Sequence, residues 1–589
     1  MNMNYANGSM QEIFLNFPAY KLNDSIALWI RPDFSFSTDS LSEERRNDAF
    51  REKFSYLIPG GECFEDFKFD PLDSKILQAE RYGGVGIGDN GGGVRCGNNA
   101  GYQVKGIGRN RLVGSGNNQL HSYGGLSAVD AIYETIYANL LESLLPAGVA
   151  KIYGVILTGP TGAYNLGVPQ ERSWGALMVR ELALRPAHFL RAGGYLPGND
   201  GQDPIMSDVG RVRNVNKRFA EKFSNPEDFQ SYLGKFLMNC ADQFAFSRMA
   251  RLMHGSMGPS NICLDGRWID LTLTQFLRSD ENTAGFFPFI PSFYEEFQVP
   301  VTILSELIFT YNKYNKVRIK KDALINYYFR TFDHALRRHT PYIFGVDHLG
   351  IDHASLLQEL EQLKVVASSI VFSGSPVLNE WPITLQAADP MLTFIESVFR
   401  YIASQHVNTP NSDDMPSHSV AQTAASLTKI LRSASVAGAI SDGANFEELI
   451  VGIFIKAFKR SSLIEYYFKG RLEHQIKLAL NNENPGRARE LINDSIEIAH
   501  WAFSEIGMPL ACIFQSNGMH ISFDIRSGFF IFKDGGDHHP AECLSLKNLQ
   551  KKFSEITPSR FVVHGMDFSN YLNRLMKTLV VMLAGGKND

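Results

Sequence analysis

Cysteine is scarce in this 589-residue chain: the six residues, Cys63, Cys96, Cys240, Cys263, Cys512 and Cys543, lie far apart and form no C-x-x-C pair. That spacing argues against a zinc knuckle and a dense disulfide framework, and fits a reducing compartment best. Long apolar runs are missing too, since nowhere do about 18 apolar residues follow one another as a membrane span requires. Met1 to Gly8 has neither the basic nor the apolar region of a secretory leader, so a soluble, cytoplasmic protein is expected. Charge of one sign is absent as well. With 57 basic and 62 acidic residues the net charge is -5, which provides no basic surface for nucleic acid and no acidic tail. Neither nucleic acid nor membrane is expected as a partner, and the lack of an evident fixed-period repeat argues against a solenoid.

What the chain does have is core-forming sequence, 44% hydrophobic and 12% aromatic. It has length for about three or four domain-sized units. It also has glycine in one place: fifteen fall between Gly83 and Gly125. Backbone of that kind bends sharply or approaches a ligand closely. Gly86-Ile87-Gly88-Asp89-Asn90-Gly91 satisfies G-x-G-x-x-G, but neither an apolar strand before it nor an acid about 20 residues later supports a dinucleotide fold. Plain glycine turns are the alternative reading.

Two further stretches give the glycines a context. Gly101 to Arg109 places Lys105 at the end of a strand-like run, and Leu126 to Leu141 shows helical spacing with Ser127 and Asp130 at its start and Glu134 inside. A lysine after a glycine loop and a glutamate on the next helix are how a kinase-like small lobe holds phosphates. A surface Lys and a surface Glu that never meet are the alternative. Then, from His254 to Asp270, Asn261 follows His254 by seven positions, a turn at Asp265-Gly266 separates two apolar runs, and the second run ends in Asp270. Asn and Asp in that arrangement supply hard oxygen ligands to a nucleotide-bound magnesium. Ser256 occupies the position where a kinase loop carries the Asp that takes the substrate proton.

Val149 to Thr158 and Trp174 to Val179 read as strands, and Arg180 to Gly193 brings Arg180, Arg185 and Arg191 around Pro186 and His188, a set of guanidinium forks suited to phosphate oxygens, with plain surface arginines as the alternative reading. Glycine loop, Gln103-Val104-Lys105-Gly106-Ile107-Gly108-Arg109, Ile132-Tyr133-Glu134, Arg180 with Pro186-Ala187-His188 and Arg191, and His254-Gly255 with Asn261 and Asp270 occur in the order of the SelO family, which residues 75 to 275 resemble. The resemblance implies a kinase-like fold whose members move AMP from ATP to Ser, Thr or Tyr hydroxyls of proteins, with the nucleotide flipped relative to ordinary kinases. It further implies that Lys105 and Glu134 form the phosphate-binding ion pair, that Arg180 and Arg191 contact phosphates, and that Gly86, Gly88, Gly91, Gly92 and Gly93 line the nucleotide. Asn261 and Asp270 would hold Mg²⁺ or Mn²⁺, and Lys105, Glu134 and Ser260 are the candidate catalytic residues.

The chain departs from the family at three places. Ser260 replaces an Asp before the metal-binding Asn, Leu271-Thr272 replaces Tyr-Gly after the Asp, and the arginine spacing allows Arg185 to stand in for Arg180. The last cysteine is Cys543, whereas the SelO pattern includes a redox-active Cys or selenocysteine near the end. The missing acid leaves two alternatives to AMP transfer: transfer of the γ-phosphate, and an ATP-binding pseudoenzyme whose helical half binds a partner.

Beyond residue 300, Val301 to Phe309, Ala354 to Val366, Ala421 to Leu431, Phe446 to Phe458 and Arg487 to Phe503 have helical spacing, and Ala511 to Phe532 reads as a small antiparallel sheet turning at Asn517-Gly518. His406 to His418 reads as a hinge loop and Asp537-His538-His539 as a solvated loop rather than a metal site. The fold expected is α+β: a protein-kinase-like two-lobed core with a large, mainly helical C-terminal extension. Its divisions are an N-terminal segment (1–75), a Gly-rich small lobe (76–178), a large lobe with the metal site (179–300) and the helical region (301–589).

Overall fold

Alternation of side chains along extended strands organises the first part of the chain. In the computed structural model the described residues are 10–583 without 36–41, 61–63, 65–66, 116–121, 166–167, 196–203, 279–280, 283–290, 351, 353, 372–374, 377–388, 407–415, 437–444, 482–483, 504–509, 517, 536–539 and 564–565. Cys63, the Asp537-His538-His539 loop, Asn517 and most of the expected hinge loop therefore lie outside them.

Eight strands form one antiparallel sheet: β1 (Phe14–Leu22), β2 (Ile26–Ile30), β3 (Tyr56–Leu57), β4 (Phe69–Glu80), β5 (Cys96–Asn99), β6 (Tyr102–Lys105), β7 (Ile152–Asn165) and β8 (Val168–Glu181). Their order is β2-β7-β8-β6-β5-β4-β1-β3. Position 75 falls within β4, which pairs with β1 along its length, so the sheet takes strands from both sides of that point. On β8, Leu177 and Val179 join Val104 and Ile156 in a core with Phe50 and Phe54 of helix α1 (Glu43–Phe54). The intervening Ala176 and Met178 face the other way, into a core shared with helix α2 (Ala128–Leu144). This period of two fixes which side chains reach the site: Gln103 lies opposite Arg180, and Lys105 opposite Met178, on the α2 face.

Helix α2 begins where the sequence indicates, with the Ser127 hydroxyl accepting from the Val129 N–H at 3.2 Å. After the sheet come α3 (Pro204–Ala220) and α4 (Pro226–Met249), the latter started by Asn225 and Pro226. The helices expected beyond residue 300 are present and longer than their apolar runs: α5 (Val299–Asn315), α7 (Leu357–Val371), α9 (His418–Val436), α10 (Phe446–Leu463) and α12 (Pro485–Phe503). Between them stand α6 (Asp322–Ile343), α8 (Pro390–His406) and α11 (Lys469–Asn481). The small sheet consists of Leu510–Ser516, Met519–Asp524, Phe529–Asp534 and Glu542–Leu544, antiparallel in that order.

One continuous apolar core runs from Met10 through α2 and α4 to Met582. The helical part and the large sheet therefore exclude water together. Trp29 of β2 donates to the Asn493 side chain of α12 at 3.0 Å, and Arg489 donates to the Leu28 carbonyl at 2.7 Å. Among the described residues no helix is long and apolar enough to cross a membrane.

Candidate active site

The segment from His254 to Asp270 folds as a loop followed by a hairpin. Ile262 pairs antiparallel with Trp268, and the turn closes with Gly266, at φ +88°, donating to the Cys263 carbonyl at 2.9 Å. At the open end the Ile269 N–H donates to the Asn261 carbonyl at 3.1 Å, so Asn261 and Asp270 stand on adjoining chain segments. The hairpin is anchored to the strands by Ala150 N–H to Trp268 O (2.8 Å), Leu264 N–H to Leu184 O (2.9 Å) and a two-pronged Arg267–Glu181 pair at 2.6 and 2.9 Å.

Its His254 is buried and neutral. Burial holds the imidazole down at about 4, against the carbonyl of Ile269 that accepts from Nε2 at 3.1 Å. Its Nδ1 faces Ser256, whose hydroxyl lies 3.5 Å away. Ser256 also receives the Asn261 amide: Nδ2 donates to the Ser256 carbonyl at 2.7 Å. The Ser260 hydroxyl donates to Asn261 Oδ1 at 3.1 Å, leaving that oxygen a second lone pair. Both serines therefore hold Asn261.

Lys105 and Glu134 do meet. The ammonium donates to Glu134 Oε2 at 2.9 Å with both side chains almost fully buried, and also to Asp270 Oδ1 across 165 residues of sequence. Asp270 has a left-handed backbone, φ +67° and ψ +66°, uncommon for a residue other than glycine and found most often where structure around it enforces it. Its side chain is 31% exposed, whereas Lys105 is 2% exposed. Burial pushes the Asp270 carboxyl up, but Lys105 first and then Arg180 and Arg95 hold it well below the usual carboxylate range.

Arg180, expected at phosphate oxygens, is instead enclosed. Its Nη1 donates to Glu134 Oε1 at 2.8 Å and its Nε to Gln103 Oε1 at 2.6 Å. Gln103 passes the connection on through its amide to Glu80, which pairs with Arg185 at 3.2 Å and accepts from His188 Nε2 at 3.2 Å. The backbone N–H of Arg185 donates to His188 Nδ1 at 3.0 Å, which fixes the proton of the neutral ring on Nε2. Arg185 also donates to the Ser260 carbonyl at 3.0 Å. Three cations, Lys105, Arg180 and Arg185, thus meet three carboxylates, Glu80, Glu134 and Asp270, and only Asp270 is substantially open to solvent.

The glycines divide by role. Gly86 and Gly88 are exposed, with φ of +98° and +57°. Gly91, Gly92 and Gly93 are buried, and a Cβ on Gly92 would sit 2.2 Å from the Glu80 carbonyl oxygen. Packing accounts for Gly92, and a Cβ on Gly91 would press on the Tyr195 ring at 3.0 Å, whereas a Cβ on Gly93 would meet Cys96 and Tyr82 at no less than 3.4 Å. The loop as a whole approaches the hairpin segment, since a Cβ on Gly84 would meet Pro259 at 2.7 Å and Gly84 N–H donates to the Arg191 carbonyl at 3.0 Å. The Arg191 side chain is exposed beside it.

Several positioning groups have no local signature in the sequence. Glu296 accepts from the backbone N–H groups of His254 (3.0 Å) and Gly255 (2.7 Å), and Thr272 Oγ1 donates to Glu134 Oε2 at 3.2 Å. Glu80 closes the chain of ion pairs. Their partners lie 23 or more residues away, so spacing within a short window could not reveal them.

No family model matches the chain, and no curated protein matches it. Among the described residues no group of three or more His, Cys, Asp and Glu side chains is placed to hold a metal ion. Mg²⁺ retains waters and commonly takes only one or two protein carboxylates; the oxygens that could face such an ion here are Asn261 Oδ1, which keeps a lone pair, and the carboxylate of the partly exposed Asp270.

Proposed function

We propose that this chain is a SelO-like nucleotidyltransferase with a protein-kinase-like two-lobed core, binding ATP with Mg²⁺ and moving AMP onto Ser, Thr or Tyr hydroxyls of proteins. The observation that carries the reading is the buried Lys105–Glu134 pair meeting the partly exposed Asp270. Kinase-type phosphoryl transfer uses a lysine paired with a helix glutamate and, close by, an aspartate that holds the metal, and Lys105, Glu134 and Asp270 stand together in that way. In this reading Glu134, itself held by Arg180, aims Lys105 at phosphate oxygens, and Asn261 and Asp270 would hold the ion, which would supply further charge neutralisation. Ser256 and Ser260 hold the Asn261 amide so that its oxygen presents a lone pair.

The acceptor oxygen forms a bond to the α-phosphorus, the bond from that phosphorus to the bridging oxygen breaks, and pyrophosphate leaves; the hydroxyl proton passes to solvent. A general base typically contributes about 10²–10⁴-fold, and Ser256 and Ser260 provide none, so slow transfer is expected. The second reading, an ATP-binding pseudoenzyme, is favoured by the same two serines, which bond to Asn261 and His254 where an acid would stand. Incubation with ATP labelled at the α-phosphate separates the readings: label on protein supports AMP transfer, γ-label on protein means phosphotransfer, and thermal stabilisation without either label means a pseudoenzyme.

A further inference from the structure

We propose that Lys469, at the start of α11 in the helical half, is a positioning residue for the Lys105–Glu134 pair, acting through Thr272. The proposal rests on the reading of that pair as the phosphate-binding centre. Lys469 Nζ donates to the Thr272 carbonyl at 2.6 Å, pairs with Glu473 at 2.8 Å and lies 4.2 Å from the centre of the Tyr133 ring. The Thr272 hydroxyl in turn donates to Glu134 Oε2, the oxygen that accepts from Lys105.

The same stretch of α2 is gripped twice more. The Tyr133 hydroxyl donates to the Thr274 carbonyl at 2.5 Å, and the Tyr137 hydroxyl donates to the Tyr467 carbonyl at 2.5 Å, two residues before Lys469. Tyr133 and Tyr137 are one helical turn apart and stack at 4.8 Å, while Glu134 points to the sheet. One cation from the helical half therefore reaches both the residue preceding Glu134 and the chain just after Asp270. A glutamate whose orientation is fixed from behind holds its lysine in one place, and misplacement of about 1 Å can reduce rate by about 10²-fold.

The test uses the full-length protein with Lys469→Met, which keeps most of the stem, Lys469→Arg, which restores the charge, and Thr272→Val. Amide exchange over 271–276 should accelerate by about tenfold or more in Lys469→Met, with the strands 510–534 unchanged and Lys469→Arg close to wild type. In α-labelled transfer, Lys469→Met and Thr272→Val should each lower kcat about tenfold with KM for ATP within about threefold, and the double variant should lose no more than the worse single one. Unchanged exchange over 271–276 overturns the latch, as does full additivity of the two substitutions. If Lys469→Met fails to give a cooperative melt, exchange and transfer in Thr272→Val decide. A wild-type protein that transfers nothing and gains no stability from ATP refutes the nucleotide reading, whereas the exchange result still judges the latch by itself.

Discussion

Replacing Glu134 with Gln removes one negative charge from a site where it answers two buried cations. Lys105 and Arg180 lie 2.9 and 2.8 Å from its two oxygens, and all three side chains are 2% exposed or less. Breaking a buried pair from one side generally costs about 3–5 kcal/mol because the other charge is left uncompensated. Here Asp270 stays bonded to Lys105 and lies 3.9 Å from Arg180, so part of the loss is offset and about 3 kcal/mol is expected. The core shared by the sheet and the helices makes a single unfolding transition the expectation. The urea slope exceeds the roughly 1–3 kcal/mol/M of small proteins and is about 6 kcal/mol/M for a chain of this size unfolding in one step, so the midpoint should fall by about 0.5 M. Urea unfolding at pH 7, followed by far-UV circular dichroism, measures it, with Glu134→Asp as a control that keeps the charge. A fall below about 0.3 M at unchanged slope would refute the reasoning, because the charges would then not depend on each other in the folded state.

Glu296 gives a pH signature: burial pushes its carboxyl up to about 8 against the His254 and Gly255 N–H groups and Arg248. From about 4.3 to about 8 the unfolded chain has released this proton while the folded chain keeps it, so its contribution to stability falls as pH rises, by up to about 1.4 kcal/mol per unit. Glu296→Gln should flatten that part of the stability curve in urea melts at a series of pH values; superimposable curves would count against it. Gly86→Ala, at φ +98° with open space around it, should cost about 1 kcal/mol from backbone strain alone. Gly92→Ala should cost about 3 kcal/mol or more, since its Cβ meets the Glu80 carbonyl oxygen, and equal losses at the two positions would contradict the packing role. Ser260→Asp should raise α-labelled transfer about tenfold or more by supplying a proton acceptor, and no gain would show that the missing base does not limit the rate.

Much of this centre was legible because its members carry local signals. Lys105 ends a short strand, Glu134 lies in a helix announced by Ser127, and the Asp265-Gly266 turn sets Asn261 beside the approach to Asp270. The encircling groups carry no such signal. Glu80, Gln103 and Arg180 come together only because β4, β5, β6 and β8 are neighbours in the sheet, and strand order cannot be read from alternation. Arg180 looked like a phosphate ligand by type, yet its place opposite Gln103 turns it inward onto Glu134. β1 went unread partly because Pro18 interrupts it, and a proline argues against an interior strand. In α6 the spacing of Leu324, Tyr328, Phe332 and Ala335 is helical, but arginines and histidines at the intervening positions obscure it.

Calorimetric titration of the full chain with ATP, with and without Mg²⁺, reaches the central claim most directly. Saturable binding that depends on Mg²⁺ is expected for the wild type, weakened about tenfold or more in Lys105→Met and in Asp270→Asn while each variant keeps its far-UV spectrum. Binding of equal strength in all three proteins, or none in the wild type, would contradict a nucleotide site built on Lys105, Glu134 and Asp270.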